Sequence, residues 1–285
     1  MPGKWLLKLL NPEMSPQNTI SRHTWNYDRL DISYDKTGSG PPLLILHGWG
    51  SSSQVMLPVA RQLADRYTCF VIDLPGFGRS PEPDEPWTLD DYTNLAKEFI
   101  TYIGEPVDIL AHSFGGRIVL KILSSEHSEM LRRVLITGGA GMKPKRTWNY
   151  YLRYFTAKTL KAPFLLLPQP LRDRGLARLR ETSLWKLLGS SEYRELDGVM
   201  QQTFINIVTE HLDDHLPEIQ KDILLLWGKA DMATPLYQAK RMESEIKGAA
   251  LVTIDDAGHY AFLDQPGQFM AITREYLKGR NGIRE

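Results

Sequence analysis

Six short apolar runs recur along the chain: PLLILHG at 42–48, TCFVIDL at 68–74, VDILAHS at 107–113, RRVLITGG at 132–139, DILLLWG at 222–228 and ALVTIDDAG at 250–258. Their apolar stretches are nearly continuous and rich in Val, Ile and Leu, as in strands covered on both faces. Helical patterns separate them, near 54–65, 89–103, 115–124 and 235–247, with a last one near 266–278. Strands alternating with helices predict an α/β fold, a mostly parallel central sheet flanked by helices. RHTWNY at 22–27 and LDISYD at 30–35 read as an antiparallel pair leading into that sheet.

The rhythm fails between Met142 and Leu212, where about 70 residues separate two strands that elsewhere are joined by one helix. The segment reads as an inserted helical cap. The chain then divides into an N-terminal extension at 1–21, a core at 22–141 and 213–285, and a cap at 142–212. Within the cap, residues 143–180 hold ten Lys or Arg against one acid, Asp173, a net of +9 that the rest of the neutral chain balances. Aromatic residues are interleaved, among them Trp148, Tyr150, Tyr151, Tyr154 and Phe155. The simplest reading is a solvated charged face over an inward-facing apolar stripe. Contact with an anionic membrane surface, or admission of an acidic substrate, are the alternatives. MPGKWLLKLLNP at 1–12 has an apolar face interrupted by Lys8 and no small-residue cleavage site, so it reads as a terminal turn packed on the body rather than a secretory signal. A short helix touching lipid is the other use for it.

Composition narrows the function classes. With 285 residues, 42% of them hydrophobic, the chain can bury a large core. Lys plus Arg and Asp plus Glu are equal at 34 each, so global charge favours no nucleic-acid partner. The lone Cys69 sits in an apolar run and can form no internal disulfide, which fits a buried thiol in a reducing, cytoplasmic setting. No apolar run approaches membrane-spanning length. Phosphate-cradling loops, paired-cysteine zinc spacing and HExxH are all missing from the sequence, so a metal ion or other cofactor is not expected. The sequence leaves the oligomeric state open.

Chemistry concentrates around Ser113. In ILAHSFGGRIVL at 109–120 the serine stands between an apolar strand and a helix, flanked by small residues at 111, 115 and 116. A tight strand-to-helix turn of this kind lifts the hydroxyl above the sheet edge, and the helix behind it aims free N–H groups at the reacting oxygen. Here the chain resembles the α/β-hydrolase superfamily over roughly residues 22–280, with Ala111 in place of the first glycine of the G-x-S-x-G pattern. The resemblance implies an α/β-hydrolase fold and a triad in the chain order Ser, Asp, His. WGKADMATP places Asp231, and AGHYAFLDQP places His259, where the superfamily has its acid and base; Asp264 replaces the usual glutamate. Serine needs an imidazole to take its proton, and the imidazole needs a carboxylate to fix its tautomer. Asp255 and Asp256 are nearer to His259 in sequence and stand as fallback acids or as loop residues.

LILHGWG at 44–50 supplies the remaining part: by resemblance, the backbone N–H groups of Trp49 and Phe114 form an oxyanion hole. His47 reads as a structural hydrogen-bonding residue. His112, Tyr260 and Trp148 are candidates for the substrate pocket. DLPGFGRS at 73–80 resembles another superfamily loop near the site, with no catalytic role inferred. Serine at the elbow excludes the aspartate-dependent dehalogenases and epoxide hydrolases of this fold. The carbon–carbon hydrolases of ring-cleavage products share the cap position, yet they usually carry Asn before the serine and Trp after the histidine, where this chain has His112 and Tyr260. The expectation is therefore an esterase acting on small to medium apolar carboxylic esters through an acyl-enzyme, with no cofactor. A carbon–carbon hydrolase is the first alternative, and a triad-containing small-molecule receptor or signalling protein the second.

Overall fold

The computed structural model describes residues 19–145, 163–164, 168–171, 174, 178 and 198–278. Among the described residues eight strands form one sheet in the order β1-β2-β4-β3-β5-β6-β7-β8. β1 (Ser21–Tyr27) and β2 (Leu30–Thr37) make the expected antiparallel pair, and β2 also runs antiparallel to β4 (Thr68–Ile72). Everything beyond is parallel: β3 (Pro42–Leu46), β5 (Val107–His112), β6 (Leu131–Thr137), β7 (Ile223–Gly228) and β8 (Ala249–Ile254). β2 runs two residues past its expected end because Lys36 and Thr37 pair with Phe70 and Cys69 of β4.

Six longer helices are described: α1 (Ser53–Leu63), α2 (Leu89–Ile103), α3 (Phe114–Leu123), α4 (Gly198–Thr209), α5 (Tyr237–Glu245) and, after the short α6 (Ala261–Asp264), α7 (Pro266–Lys278). α2 begins in a capping box, in which Thr88 and Asp91 satisfy each other's backbone N–H groups, and ends on left-handed Gly104.

The strands distribute their side chains with period two between two cores. Leu44, Leu46, Ile109, Ala111, Val134, Ile136, Leu225 and Trp227 face one cluster, shared with Phe99, Ile118 and Ile207. Leu43, Ile45, Leu110, Leu135, Leu224 and Leu226 face the other, against Met56, Leu63 and Phe269. Both faces are apolar because both are covered, which is why the runs show no alternation. Cys69 is buried in the second cluster, and burial pushes its thiol up to about 12.

Three features of this frame bear on the site. The loops after β5, β7 and β8 all leave the carboxyl ends of parallel strands, the edge where α/β sheets place their ligands. The excursion after β6 returns to its origin: Leu212 donates its N–H to Gly141 O at 2.9 Å, and the Lys143 N–H bonds Asp213 Oδ2 at 2.9 Å. Of the segment expected as a cap, α4 is the largest described piece; Trp148 and most of the basic stretch lie outside the described residues, as does nearly all of the N-terminal extension. Among the described residues no helix is long and apolar enough to cross a membrane.

Third, a buried charge network braces the loop after β3. Arg79 forks onto Asp35 (Nη1–Oδ1 3.1 Å, Nη2–Oδ2 2.7 Å) and donates Nε–H to Asp73 at 2.9 Å. Asp73 in turn accepts the Ser53 N–H at 2.6 Å, at the start of α1. Both carboxylates are almost wholly buried, so each needs its guanidinium partner. Gly78, at φ +59°, passes so close to Asp73 that a Cβ would meet its carboxylate at 2.4 Å.

At the start of α3, a Cβ on Gly115 would stand 2.6 Å from Leu46 Cβ and 2.8 Å from Leu46 O. Helix and strand touch backbone to backbone there, so Gly115→Ala should cost about 1–3 kcal/mol through overpacking. Thermal unfolding measures this; an unchanged Tm would show that the elbow tolerates the wider separation.

Candidate active site

Ser113 joins β5 to α3 in a backbone conformation that non-glycine residues avoid, φ +51° and ψ −107°. Neighbouring backbone holds it there. Its N–H bonds Thr137 O at 3.1 Å, its carbonyl accepts the Ala140 N–H at 3.0 Å, and the Gly115 N–H bonds His47 O at 3.1 Å. β3 and β6, on either side of β5, thereby clamp the turn.

Asp231 sits on the loop after β7, its carboxylate fully buried. Oδ1 accepts the N–H groups of Ala233 and Thr234, both at 2.9 Å, in a local side-chain turn. Oδ2 accepts from His259 Nδ1 at 2.9 Å. Burial works against ionisation of Asp231, but the bonds from His259 and Thr234 outweigh it and hold the carboxyl below its usual range. With Nδ1–H committed to Asp231, the His259 tautomer leaves Nε2 as a lone pair. Gly138, at φ +55°, keeps this pairing possible, because a Cβ there would lie 3.1 Å from His259 Nδ1 and 3.3 Å from Asp231 Oδ2.

Two further side chains support this pair. The Thr234 hydroxyl is 2.8 Å from Asp231 Oδ2, 2.9 Å from Gly138 O and 3.4 Å from His259 Nδ1. The Asp-x-x-Thr spacing is a sequence signal for such a turn. Asp264 accepts the Gly258 N–H at 2.8 Å, so the residue that departs from the superfamily pattern secures the histidine loop. Asp255 instead pairs with Lys229, and Asp256 turns the chain at φ +53°.

The described residues enclose a cavity of about 220 Å³, whose walls include Ser113, His259, His112, Tyr260, Trp49 and Phe114. Ser113 Oγ makes no hydrogen bond with a described residue. The N–H groups of Trp49 and Phe114 are likewise not spent on acceptors among the described residues. His47 links loops: its Nε2 accepts the Leu74 N–H at 3.0 Å, its Nδ1 bonds Gly48 O at 2.7 Å, and burial lowers its pKa. Trp49 packs on Phe77, Phe114 and Phe204 with ring centroids 4.8, 5.4 and 5.2 Å away, which joins α4 to the core. Among the described residues no cluster of three or more His, Cys, Asp or Glu is arranged to hold a metal ion.

His112 packs 4.7 Å from His259 and 4.9 Å from Tyr260, centroid to centroid. Its Nδ1 bonds Thr137 O at 3.2 Å, while Nε2 is buried without a partner among the described residues. Burial, reinforced by the neighbouring His259, pushes its pKa down to about 3. Between the ordinary value of about 6.5 and 3, the unfolded chain takes up a proton that the native ring refuses. That contribution to stability is whole above 6.5 and drains away as pH falls towards 3. His112→Asn should therefore flatten the acid side of the stability–pH curve; a slope identical to wild type in chemical denaturation would contradict a neutral, buried ring.

Comparison with known proteins agrees with this architecture. The chain is 25% identical over 266 residues to the pimeloyl-[acyl-carrier protein] methyl ester esterase of Aeromonas hydrophila, covering 87% of this chain and all of that one. Among solved structures it is similar to a bacterial membrane phospholipase A (TM-score 0.71, 24% identity, 98% of this chain and 92% of that one). It is also similar to a 2-hydroxy-6-oxo-6-phenylhexa-2,4-dienoate hydrolase of a Rhodococcus strain (TM-score 0.67, 20% identity, 91% and 99%). The Alpha/beta hydrolase family profile matches residues 43–272, which is most of the chain, and with the sheet order and the β5–Ser113–α3 turn this establishes that the protein belongs to the alpha/beta hydrolase family.

Proposed function

We propose that the protein is a serine hydrolase of carboxylic esters, working through an acyl-enzyme, with Ser113 as nucleophile, His259 as general base and Asp231 as the orienting carboxylate. The observation that carries this reading is the 2.9 Å bond from buried Asp231 to His259, which lines the same cavity as Ser113 on its left-handed turn. The name of the Aeromonas relative, a methyl ester esterase, supports the same bond type.

In the first half-reaction His259 Nε2 takes the Ser113 proton as Oγ attacks the ester carbonyl, a contact that catalytic sites commonly tighten when substrate binds. The N–H groups of Trp49 and Phe114 receive the oxyanion. The imidazolium returns the proton to the leaving alcohol, and water, activated by the same imidazole, then releases the acid. Asp231 stays ionised throughout, consistent with its depressed pKa. Residues 142–212 act as a cap over this chemistry, supported by Phe204 and Ile207 of α4 in the cavity wall. His112 and Tyr260 also line the cavity and serve as substrate contacts, at the positions where the ring-cleavage hydrolases carry Asn and Trp.

Multiple-turnover hydrolysis of p-nitrophenyl esters from acetate to palmitate tests the reading. Sustained turnover is expected, with Ser113→Ala lowering kcat by about 10⁴-fold or more. A folded Ser113→Ala variant with unchanged turnover would overturn the mechanism. A single turnover per molecule would instead point to a receptor, and cleavage of a ring-fission dienoate without ester turnover to carbon–carbon chemistry.

A further inference from the structure

One turn along α3 from Ser113, Arg117 lines the same cavity while only 6% exposed. Its charge has no direct carboxylate partner among the described residues. Nη1 donates to two backbone carbonyls at the end of α4, Ile207 O and, at 2.7 Å, Glu210 O. The Glu210 carboxylate itself is taken by Lys121, at 2.5 Å, and Lys121 also reaches Asp90 at 3.0 Å. The α4 carbonyls offer Arg117 only a partial negative charge, and burial pushes its pKa down to about 10.

A guanidinium has five N–H donors, and those of Nε and Nη2 lie side by side on one edge, matched to the two oxygens of a carboxylate. Nη1 is the nitrogen spent on α4. Nε and Nη2 donate to no described residue, and Arg117 stands in the wall of the cavity that also contains Ser113. A buried cation that stands in the wall of a catalytic cavity with a free fork needs an anion to complete it.

We infer that Arg117 is a specificity-determining residue that binds a second carboxylate on the acyl part of the substrate, so that the preferred substrates are half-esters of dicarboxylic acids. Nη1 fixes the α4 wall, and the Nε/Nη2 edge receives the carboxylate. The inference rests on the esterase reading for its kinetics but not for its binding.

The test compares monomethyl with dimethyl esters of the dicarboxylic acids from succinic to suberic. In the wild type, the best half-ester should exceed its dimethyl counterpart in kcat/KM by about tenfold or more, mainly through KM, as a charge-assisted pair implies. Arg117→Met should bring that ratio close to one, and Arg117→Lys, which keeps the charge but not the fork, should lie between. Equal kcat/KM for the two ester types in the wild type overturns the inference and leaves the esterase intact, and so does a ratio that survives in Arg117→Met. Should Arg117→Met fail to fold, competitive inhibition of the wild type decides: adipate should inhibit at least tenfold more strongly than hexanoate, and equal inhibition overturns the inference. If no ester is turned over, the esterase reading falls, and calorimetric titration with adipate decides for Arg117. Saturable binding that Arg117→Met loses supports the carboxylate site; no binding to the wild type, or binding that the variant retains, overturns it.

Discussion

The structure depends most on a turn that a serine adopts unwillingly. At φ +51° the Ser113 backbone is strained, by about 1–3 kcal/mol for a conformation of this kind, and only its neighbours keep it there. β6 takes its N–H and its carbonyl is met by Ala140, while His47 O, just past the end of β3, holds Gly115. Glycine at 115 and 116 brings α3 down onto Leu46 and Ile136 until no side chain fits between. The result is Ser113 in the cavity wall beside a Phe114 amide that no described acceptor takes. A relaxed turn would satisfy the serine and lose both.

Around this turn the other parts are fixed by short-range devices of different kinds. Asp231 is held by its own loop, through N–H groups two and three residues on, before it meets His259. The histidine loop is held by Asp264 from the following short helix. The HGWG loop after β3 is held from outside, where Asp73 grips the first turn of α1 and Leu74 donates to His47. Arg79 bridges Asp73 and Asp35, so the DLPGFGRS loop braces the turn after β3 and the start of α1.

The parallel strands were legible because strands buried on both faces leave continuous apolar runs, and α2 and α7 fall on the residues that their periodicity marked, 89–103 and 266–278. Ser113, Asp231 and His259 were legible because each follows a strand in a short motif; the structure puts Ser113 and His259 in the wall of one cavity and Asp231, buried, on His259. What could not be read depends on distance along the chain. Asp35 and Arg79 are 44 residues apart, and Arg117 meets the end of α4 across 90; periodicity and local spacing carry nothing about such pairs. Thr234 and Asp264 were closer to hand, since each lies a few residues from the group it supports, but a turn threonine and an aspartate in place of glutamate look ordinary until the loop is folded.

The hydrogen bond from Leu212 to Gly141 has a wider meaning than closure of a loop. Because the chain leaves the sheet and rejoins it at one point, the length between those residues is decoupled from the spacing of β6 and β7. A segment of different size or composition can span those residues while Ser113, His259 and the turns around them keep their places. The frame of strands and turns is thus set independently of the segment it carries, and a lineage could rewrite that segment with the frame left unaltered.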